Sequence, residues 1–433
     1  MDKLLPKLYK EYGQYSNWRN FPYEVDGLKP VERRILFSAF QIARNKLVKS
    51  ARVDGHVIGN YHPHGSSYGS IVQLVRQDFL DGQGNFGSNI GVEAVGAAAS
   101  RYTEIKLSKK TENLAFKYIE HIPWFINELD VKEPTFLPAM FPLCLLGNEY
   151  TQGIGFGYKT YIPCYKMEDL HKRLLWWLGE RKTKPTIIPK SDCKITSSNK
   201  ELEELLTTGK AKIDFEGIID EIPQSNKVIL RSWPPGRKFE SILKKFSKEL
   251  DSSLIGYNDA SSRGETKIEF EVLRERNRDS IYKDFTKKLK DNITGSVSFE
   301  VITTDIDGNV KLSSIDEMLL KTFSQYTGIN QEMLNDKKEK LNSVIEEYRT
   351  LEIIRPSLSN CFKSGYGFEE SIDLVSKETP IQKEVIEELV SKYRIRKLLT
   401  LDTDTKNLEN EIKEIDDKLK NLQTFVLNQY SSF

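Results

Sequence analysis

Two stretches in the last third of the sequence line their apolar residues along one seam. Leu408, Ile412, Ile415, Leu419, Leu422 and Val426 follow one another at intervals of four, three, four, three and four. This is the seven-residue repeat of a helix that buries one stripe against another helix. Leu334, Leu341, Val344, Tyr348 and Leu351 keep the same register ahead of Pro356, which has no N–H to donate and is expected to stop that helix. Two such helices in one chain, about fifty residues apart, predict an antiparallel intramolecular coiled coil with a small helical domain at its tip. Each arm of roughly 20 residues reaches about 30 Å. A rod of this kind needs a body to stand on, and 433 residues suffice for about two to four domains.

The rest of the sequence separates by texture into two further regions. Residues 1–158 are rich in Gly, aromatic and basic residues. Pro30 suits the first turn of a helix, and Ile35, Leu36, Ala39, Phe40, Ala43 and Leu47 then recur at helical spacing. A loop containing Gly55 and Gly59 is expected next. Ser66 and Ser67 are candidate N-caps of a second helix carrying Ile71, Leu74, Val75 and Phe79. Two helices with a Gly-containing connection fit a helix-turn-helix or winged-helix head. Residues 159–325 alternate short strands and helices, with strands expected at 211–219, 228–230, 267–272, 297–302 and 310–312, the last two flanking the turn signal Asp307-Gly308. The fold class is multidomain α+β: a winged-helix head at 1–158, an α/β domain at 159–325, and the coiled coil with its tip at 326–433.

Charge adds a direction. The whole chain carries a net +1, yet residues 1–110 hold sixteen Lys/Arg against ten Asp/Glu, a net of +6. A basic head on a neutral body is the footprint of a DNA-binding surface. Cys144, Cys164, Cys193 and Cys361 are scattered without a C-x-x-C pair, which argues against a disulfide framework or zinc site and fits a reducing cytosol. The first residues hold no apolar run long enough for a signal peptide, and the most apolar segment, 136–146, is far short of the roughly 20 residues that span a bilayer. A soluble, cytoplasmic protein is expected.

Several segments carry chemistry. A tyrosine can attack a phosphodiester and keep the bond energy in a phosphotyrosyl link. A phenol with the ordinary pKa of about 10 is only about 0.1% ionised at pH 7, so activation has roughly 4 kcal/mol to offset. In Arg101-Tyr102 an adjacent guanidinium is available to favour the phenolate and grip phosphate. Tyr61-His62-Pro63-His64-Gly65 sets two imidazoles beside an expected helix N-terminus, where protons shuttle and phosphate binds. Zinc would need further ligands, and only His56 is near. Gly82-Gln83-Gly84-Asn85-Phe86-Gly87 matches G-x-G-x-x-G but follows an expected helix, not a strand, so a dinucleotide site is rejected. Asp305-Ile306-Asp307-Gly308 lacks the later oxygen ligands of a calcium loop and reads as a hairpin turn. No P-loop signature occurs.

Taken together, five strings resemble the A-type, breakage-rejoining subunit of type IIA DNA topoisomerases. They are Val25-Asp26-Gly27-Leu28-Lys29-Pro30-Val31-Glu32-Arg33-Arg34, Val57-Ile58-Gly59-Asn60-Tyr61-His62-Pro63-His64-Gly65, Asp81-Gly82-Gln83-Gly84-Asn85-Phe86-Gly87-Ser88, Ala98-Ala99-Ser100-Arg101-Tyr102-Thr103-Glu104 and Gly153-Ile154-Gly155-Phe156-Gly157. The resemblance implies Tyr102 as the nucleophile, Arg101 as its transition-state partner, and Arg19, His62 and His64 beside the scissile phosphate. It also implies Lys29, Arg33 and Arg34 on the DNA backbone and Ile154 as a wedge between base steps. Glu32 and Asn60 depart from the basic residues frequent in bacterial relatives, which removes positive charge near DNA. The second and third regions look like the family's tower domain and its coiled coil with a dimerising tip. The resemblance further implies a homodimer acting on double-stranded DNA with a large ATPase subunit. Mg²⁺ and ATP are expected on that partner, with no metal ligand on this chain. The ending at the coiled coil looks closest to the medium subunit of T-even-type phage topoisomerases, so relaxation and decatenation are expected ahead of supercoiling, in the cytoplasm of a bacterial host.

Overall fold

The computed structural model describes residues 4–88, 90–91, 95–262, 264–273, 276–393 and 402–430. The chain divides into two compact units, Met1–Tyr326 and Thr327–Phe433.

The first unit opens on helix α1 (Leu4–Asn20), an element that hydrophobic spacing does not announce. Its Leu5, Leu8, Tyr9 and Tyr12 face solvent, while Asn17 is buried. Helix α2 (Pro30–Ile42) begins at Pro30 as expected. Glu32 has a local task there: its Oε2 accepts the Lys29 N–H at 2.9 Å, and a carboxylate in the first turn suits the helix dipole. The stretch expected as a loop around Gly55 and Gly59 is instead helix α3 (Ser50–Asn60). Each glycine costs a helix interior about 1 kcal/mol, but Val53 and Val57 are completely buried, and each contributes about 1.5–3 kcal/mol. Burial wins. Helix α4 (Tyr68–Arg76) follows. Ser67 Oγ makes no cap, whereas Ser66 Oγ accepts the Tyr68 N–H at 3.3 Å; both hydroxyls donate to the two oxygens of Asp54 at 2.7 and 2.8 Å, tying α4 to α3.

Strands β1 (Val48–Lys49), β2 (Leu80–Gln83) and β3 (Glu104–Leu107) form an antiparallel sheet in the order β1-β3-β2. Helix α5 (Lys109–Ala115) leads to the hairpin β4 (Trp124–Ile126) and β5 (Lys132–Pro134). Two larger sheets follow. Strands β6 (Thr151–Ile154), β7 (Lys159–Ile162), β8 (Lys194–Ile195), β9 (Lys210–Glu216) and β14 (Thr294–Glu300) pair in the order β6-β7-β14-β9-β8. Strands β10 (Ile219–Ile222), β11 (Lys227–Leu230), β12 (Ile255–Asp259) and β13 (Ile268–Val272) pair in the order β10-β11-β13-β12. The segment expected as one strand at 211–219 thus breaks at Gly217 and serves both sheets. A core of Phe239, Phe246, Phe270, Phe285 and Leu289 joins the four-stranded sheet to the helix Arg278–Asn292. The Asp307-Gly308 turn closes β15 (Ile302–Thr304) onto β16 (Val310–Leu312). Asp305 Oδ1 accepts the N–H groups of Asp307 and Asn309 at 3.0 and 2.8 Å, so its carboxylate is occupied in making the turn.

A helix of 49 residues, Ile315–Lys363, runs from the first unit into the second with Pro356 inside it, contrary to the expected stop. An interior proline costs about 3 kcal/mol. Leu351, Ile354, Leu358 and Cys361 all bury, against Ile372, Val375, Ile386, Leu389 and Val390. The heptad seam therefore continues beyond Pro356, and burial of Leu358 and Cys361 offsets the missing hydrogen bond. In the same unit Lys337 pairs with Glu411 at 2.6 Å, Lys338 with Asp416 at 2.5 Å and Arg349 with Glu409 at 3.2 Å. Asn330 accepts from Gln429 at 2.8 Å. From residue 330 to 349 the partners run from 429 back to 409, so the long helix and the helices Lys406–Lys420 and Leu422–Tyr430 are antiparallel. Among the described residues no helix is long and apolar enough to cross a membrane.

Candidate active site

Tyr102 sits two residues before β3, the central strand of its sheet. The backbone on either side is pinned. Ser50 N–H donates to the Thr103 carbonyl at 2.9 Å and Ala51 N–H to the Ser100 carbonyl at 3.2 Å. Tyr68 Oη donates to the Ala98 carbonyl at 2.6 Å and lies 3.0 Å from Thr103 Oγ1, which itself donates to Ser50 Oγ at 2.8 Å. Gly84 (φ +109°) lies so close beneath this segment that a Cβ there would sit 3.1 Å from the Tyr102 carbonyl. That close approach, not a nucleotide, explains the glycine of the G-x-G-x-x-G string. Against the pinned backbone the Tyr102 side chain stands 64% exposed. The Arg101 guanidinium lies 4.6 Å from its ring centroid, which sets a cation at the phenol and leaves the hydroxyl open to an incoming phosphate.

The histidines form a second group, built from four elements. His62 and His64, in the connection between α3 and α4, place their rings 5.0 Å apart at 73°. His62 is 9% exposed. Arg34 of α2 donates to its Nδ1 at 3.2 Å, and the Arg34 guanidinium is held by Glu133 of β5 at 2.9 Å. Glu133 in turn accepts from Asn127 at 3.0 Å. Burial, then Arg34, then His64 and Arg19, push the His62 imidazole down to about 4. His62 is therefore neutral near pH 7. A guanidinium has no lone pair to offer, so Nδ1 must be the acceptor and the one ring proton must lie on Nε2. The pair supplies a neutral N–H donor. His64 lies beside it with its Nε2 2.7 Å from the Tyr15 hydroxyl and 3.8 Å from Glu128 Oε1. Arg19, in the last turn of α1, stacks its guanidinium 5.7 Å from the Tyr15 ring. The sequence-predicted Arg19, His62 and His64 thus converge, and Arg34 joins them. Among the described residues no hydrogen bond or ring contact links this group to Arg101 and Tyr102.

The expected DNA-backbone cations divide. The Lys29 ammonium reaches the Gln152 carbonyl at 2.5 Å at an exposed position. Arg34 is 8% exposed and committed to Glu133 and His62. Arg33, also 8% exposed, donates Nε and Nη2 to the two oxygens of Asp26 at 2.6 and 3.0 Å. Asp26 further accepts the Leu28 and Leu137 N–H groups. Arg33, expected on the DNA backbone, thus anchors the turn into α2, with its charge paired to Asp26 inside the fold. Asn60, the other departure, donates to the His56 carbonyl at 2.8 Å, and its own carbonyl accepts from Asn127.

Ile154 ends β6 at the tip of the β6–β7 hairpin and is 81% exposed. An apolar side chain held this far out gains nothing in folding. Its support is rigid: Asn17 Oδ1 of α1 accepts the Phe156 N–H at 2.5 Å, and a Cβ on Gly155 would meet that oxygen at 2.2 Å. Sequence reading missed Tyr15, Trp18, Glu128, Glu133 and Asn127. The available signal was Tyr15, Trp18 and Arg19 within one helical turn. Among the described residues no group of three His, Cys, Asp or Glu side chains is placed to hold a metal ion.

Residues 19–432 match the family model for the A subunits of DNA gyrase and topoisomerase IV. The chain is 26% identical to the DNA gyrase A subunit of Leptospira biflexa serovar Patoc over 94% of its own length and 50% of that relative. It is 27% identical to the DNA topoisomerase 4 A subunit of Staphylococcus epidermidis, over 96% of this chain and 55% of the relative. With the DNA gyrase A subunit of Buchnera aphidicola it shares 30% identity over 79% of this chain and 43% of the relative. The chain spans about half the length of the curated relatives it matches.

Proposed function

This chain belongs to the family of DNA gyrase and topoisomerase IV A subunits, and from that premise we propose that it is the DNA-cleaving and rejoining subunit of an ATP-dependent type II topoisomerase. The observation that carries the reading is Tyr102: exposed, capped by Arg101, and borne on a backbone fixed from both sides. Its Oη attacks the phosphorus of one strand, a P–O bond to the 3′-oxygen breaks, and that oxygen leaves with a proton. The phenol's proton goes to a base or water. One ester is exchanged for another, so the 5′-phosphotyrosyl link keeps the energy for resealing by the reverse attack. Arg101 and Arg19 hold the phosphate charge, and His62 donates from Nε2.

The chain acts as a homodimer on double-stranded DNA, one tyrosine per strand, so that a second duplex passes through the break and DNA is relaxed or decatenated. Residues 1–158 serve as the winged-helix breakage-rejoining domain, 159–325 as the tower domain, and 326–433 as the coiled coil and dimerising gate. Lys29 steadies the DNA backbone, and Ile154 enters between base steps to bend the duplex. A large partner subunit carries the ATPase and the Mg²⁺ site; the ion supplies charge neutralisation at the transferring phosphate. A phage origin, with activity in the cytoplasm of the bacterial host, fits the resemblance to T-even-type medium subunits.

The test mixes the chain, its partner subunit, supercoiled plasmid and Mg²⁺, then quenches with detergent. Wild type yields protein-linked linear DNA and Tyr102→Phe yields none. Equal linkage from both removes Tyr102 from the mechanism.

A further inference from the structure

Tyr15 belongs to none of the strings that mark the family, yet it touches two of the residues that converge on the site. Its hydroxyl lies 2.7 Å from His64 Nε2. Its ring stacks on Trp18 at 5.9 Å and 28°, and the Arg19 guanidinium lies 5.7 Å from its centroid. We propose that Tyr15 is a positioning residue that holds His64 by Nε2 in both of its charge states, so that Nδ1 always carries a proton and always serves as a donor toward the phosphate. This rests on the reading of His64 as a phosphate-facing group.

Donors and acceptors set the outcome. A phenol hydroxyl both donates and accepts. When His64 is neutral and the Tyr15 O–H donates to Nε2, the single ring proton resides on Nδ1. When His64 is an imidazolium, the hydroxyl rotates and accepts from Nε2–H, and Nδ1–H is unchanged. The groups facing His64 make this device necessary. Glu128 of the β4–β5 turn places Oε1 3.8 Å from the same Nε2. His62, 5.0 Å away, is neutral and engaged with Arg34, and Arg19 lies beyond the Tyr15 ring. Without the hydroxyl, the Glu128 carboxylate draws the proton of neutral His64 onto Nε2, leaving Nδ1 a bare acceptor facing phosphate oxygen. The Tyr15 ring, in contact with both Trp18 and Arg19, keeps the hydroxyl in place.

The experiment compares wild type with Tyr15→Phe, which retains the ring and its packing, in the reconstituted complex. Covalent-complex yield and single-turnover resealing are measured under the same conditions for both. The variant is about five- to tenfold weaker, the worth of one neutral hydrogen bond. Tyr15→Phe combined with Glu128→Gln recovers at least half of that loss, and Tyr15→Phe has no further effect in a His64→Ala background. Tyr15→Gln, whose amide N–H also donates to Nε2, retains most activity and carries the test should the phenylalanine variant not fold. A deficit that persists in His64→Ala, or that Glu128→Gln does not relieve, overturns the proposal. A wild-type complex that forms no Tyr102-dependent link overturns the topoisomerase reading instead, and the inference with it.

Discussion

The depressed His62 imidazole makes folding stability depend on pH in a way that one substitution can isolate. In the unfolded chain His62 takes up a proton near its ordinary 6.5; in the fold it resists until about 4. Between those values the unfolded state holds more protons than the native state, so stability rises with pH. The contribution is fully present above about pH 6.5 and is lost as pH falls through the window to about 4. The difference corresponds to about 3 kcal/mol, at about 1.4 kcal/mol per pH unit. That is a sizeable share of the roughly 5–15 kcal/mol that holds a typical domain. Its causes are on the surface of the ring: burial, the Arg34 guanidinium 3.2 Å from Nδ1, then His64 and Arg19. His62→Gln preserves an acceptor for Arg34 but cannot titrate. All five tryptophans fall before residue 234, so tryptophan fluorescence during urea unfolding follows the first unit alone. Between pH 7.5 and 4.5 the wild-type protein should lose about 2–3 kcal/mol more than His62→Gln. Parallel losses would refute this reasoning and would mean that the His62 imidazole keeps its ordinary affinity for a proton in the fold.

Burial sets two further expectations. Ile154→Ala should leave the melting temperature of the first unit within about a degree, because an 81% exposed side chain buries almost nothing in the fold. The same change should reduce covalent complexes with DNA about tenfold or more, since burying an isoleucine between bases is worth about 1.5–3 kcal/mol; a fall in stability, or unchanged cleavage, would contradict the wedge. Pro356→Ala should restore a helix hydrogen bond and stabilise the second unit by about 1–3 kcal/mol. Amide exchange around Leu351 and Leu358 would then slow, and unchanged or faster exchange would show that the proline is no burden there.

Much of the architecture was legible because it rests on repeating patterns. The heptad seams placed the long helix and the two shorter helices antiparallel to it, Lys406–Lys420 and Leu422–Tyr430, though not the break between those two at Asn421, and the Asp307-Gly308 turn sits where its dipeptide indicated. The failures share a cause. Gly55 and Gly59 read locally as a loop, and Pro356 read locally as an end, but both lie in helices whose buried faces contribute more than the local penalty removes. Local propensity is a small energy, and only the assembled core shows what opposes it. The break at Gly217 was invisible for a similar reason: which sheet a strand joins is decided by distant partners.

For the site, the strings singled out residues that gather together in the fold, but not how their contacts divide among them. Arg33 and Arg34 are adjacent, identical and equally buried, so no reading of types or spacing separates them. Their partners do. Arg33 turns to Asp26, whose oxygens also gather backbone N–H groups, and its charge is spent on shaping the turn into α2. Arg34 turns to Glu133 and gives one N–H to His62, a bond that fixes the tautomer of the histidine and, after burial, helps to keep it uncharged. A cation that looks like a phosphate ligand in sequence is therefore committed, in the fold, to a carboxylate and to the ring it sets. This yields opposite expectations for the two lysine variants. Arg34→Lys keeps the charge but loses the fork that spans Glu133 and His62, and should alter the pH dependence of cleavage. Arg33→Lys should instead lower stability and leave that pH dependence where it was. If both variants shift the profile alike, the division between anchor and relay is wrong.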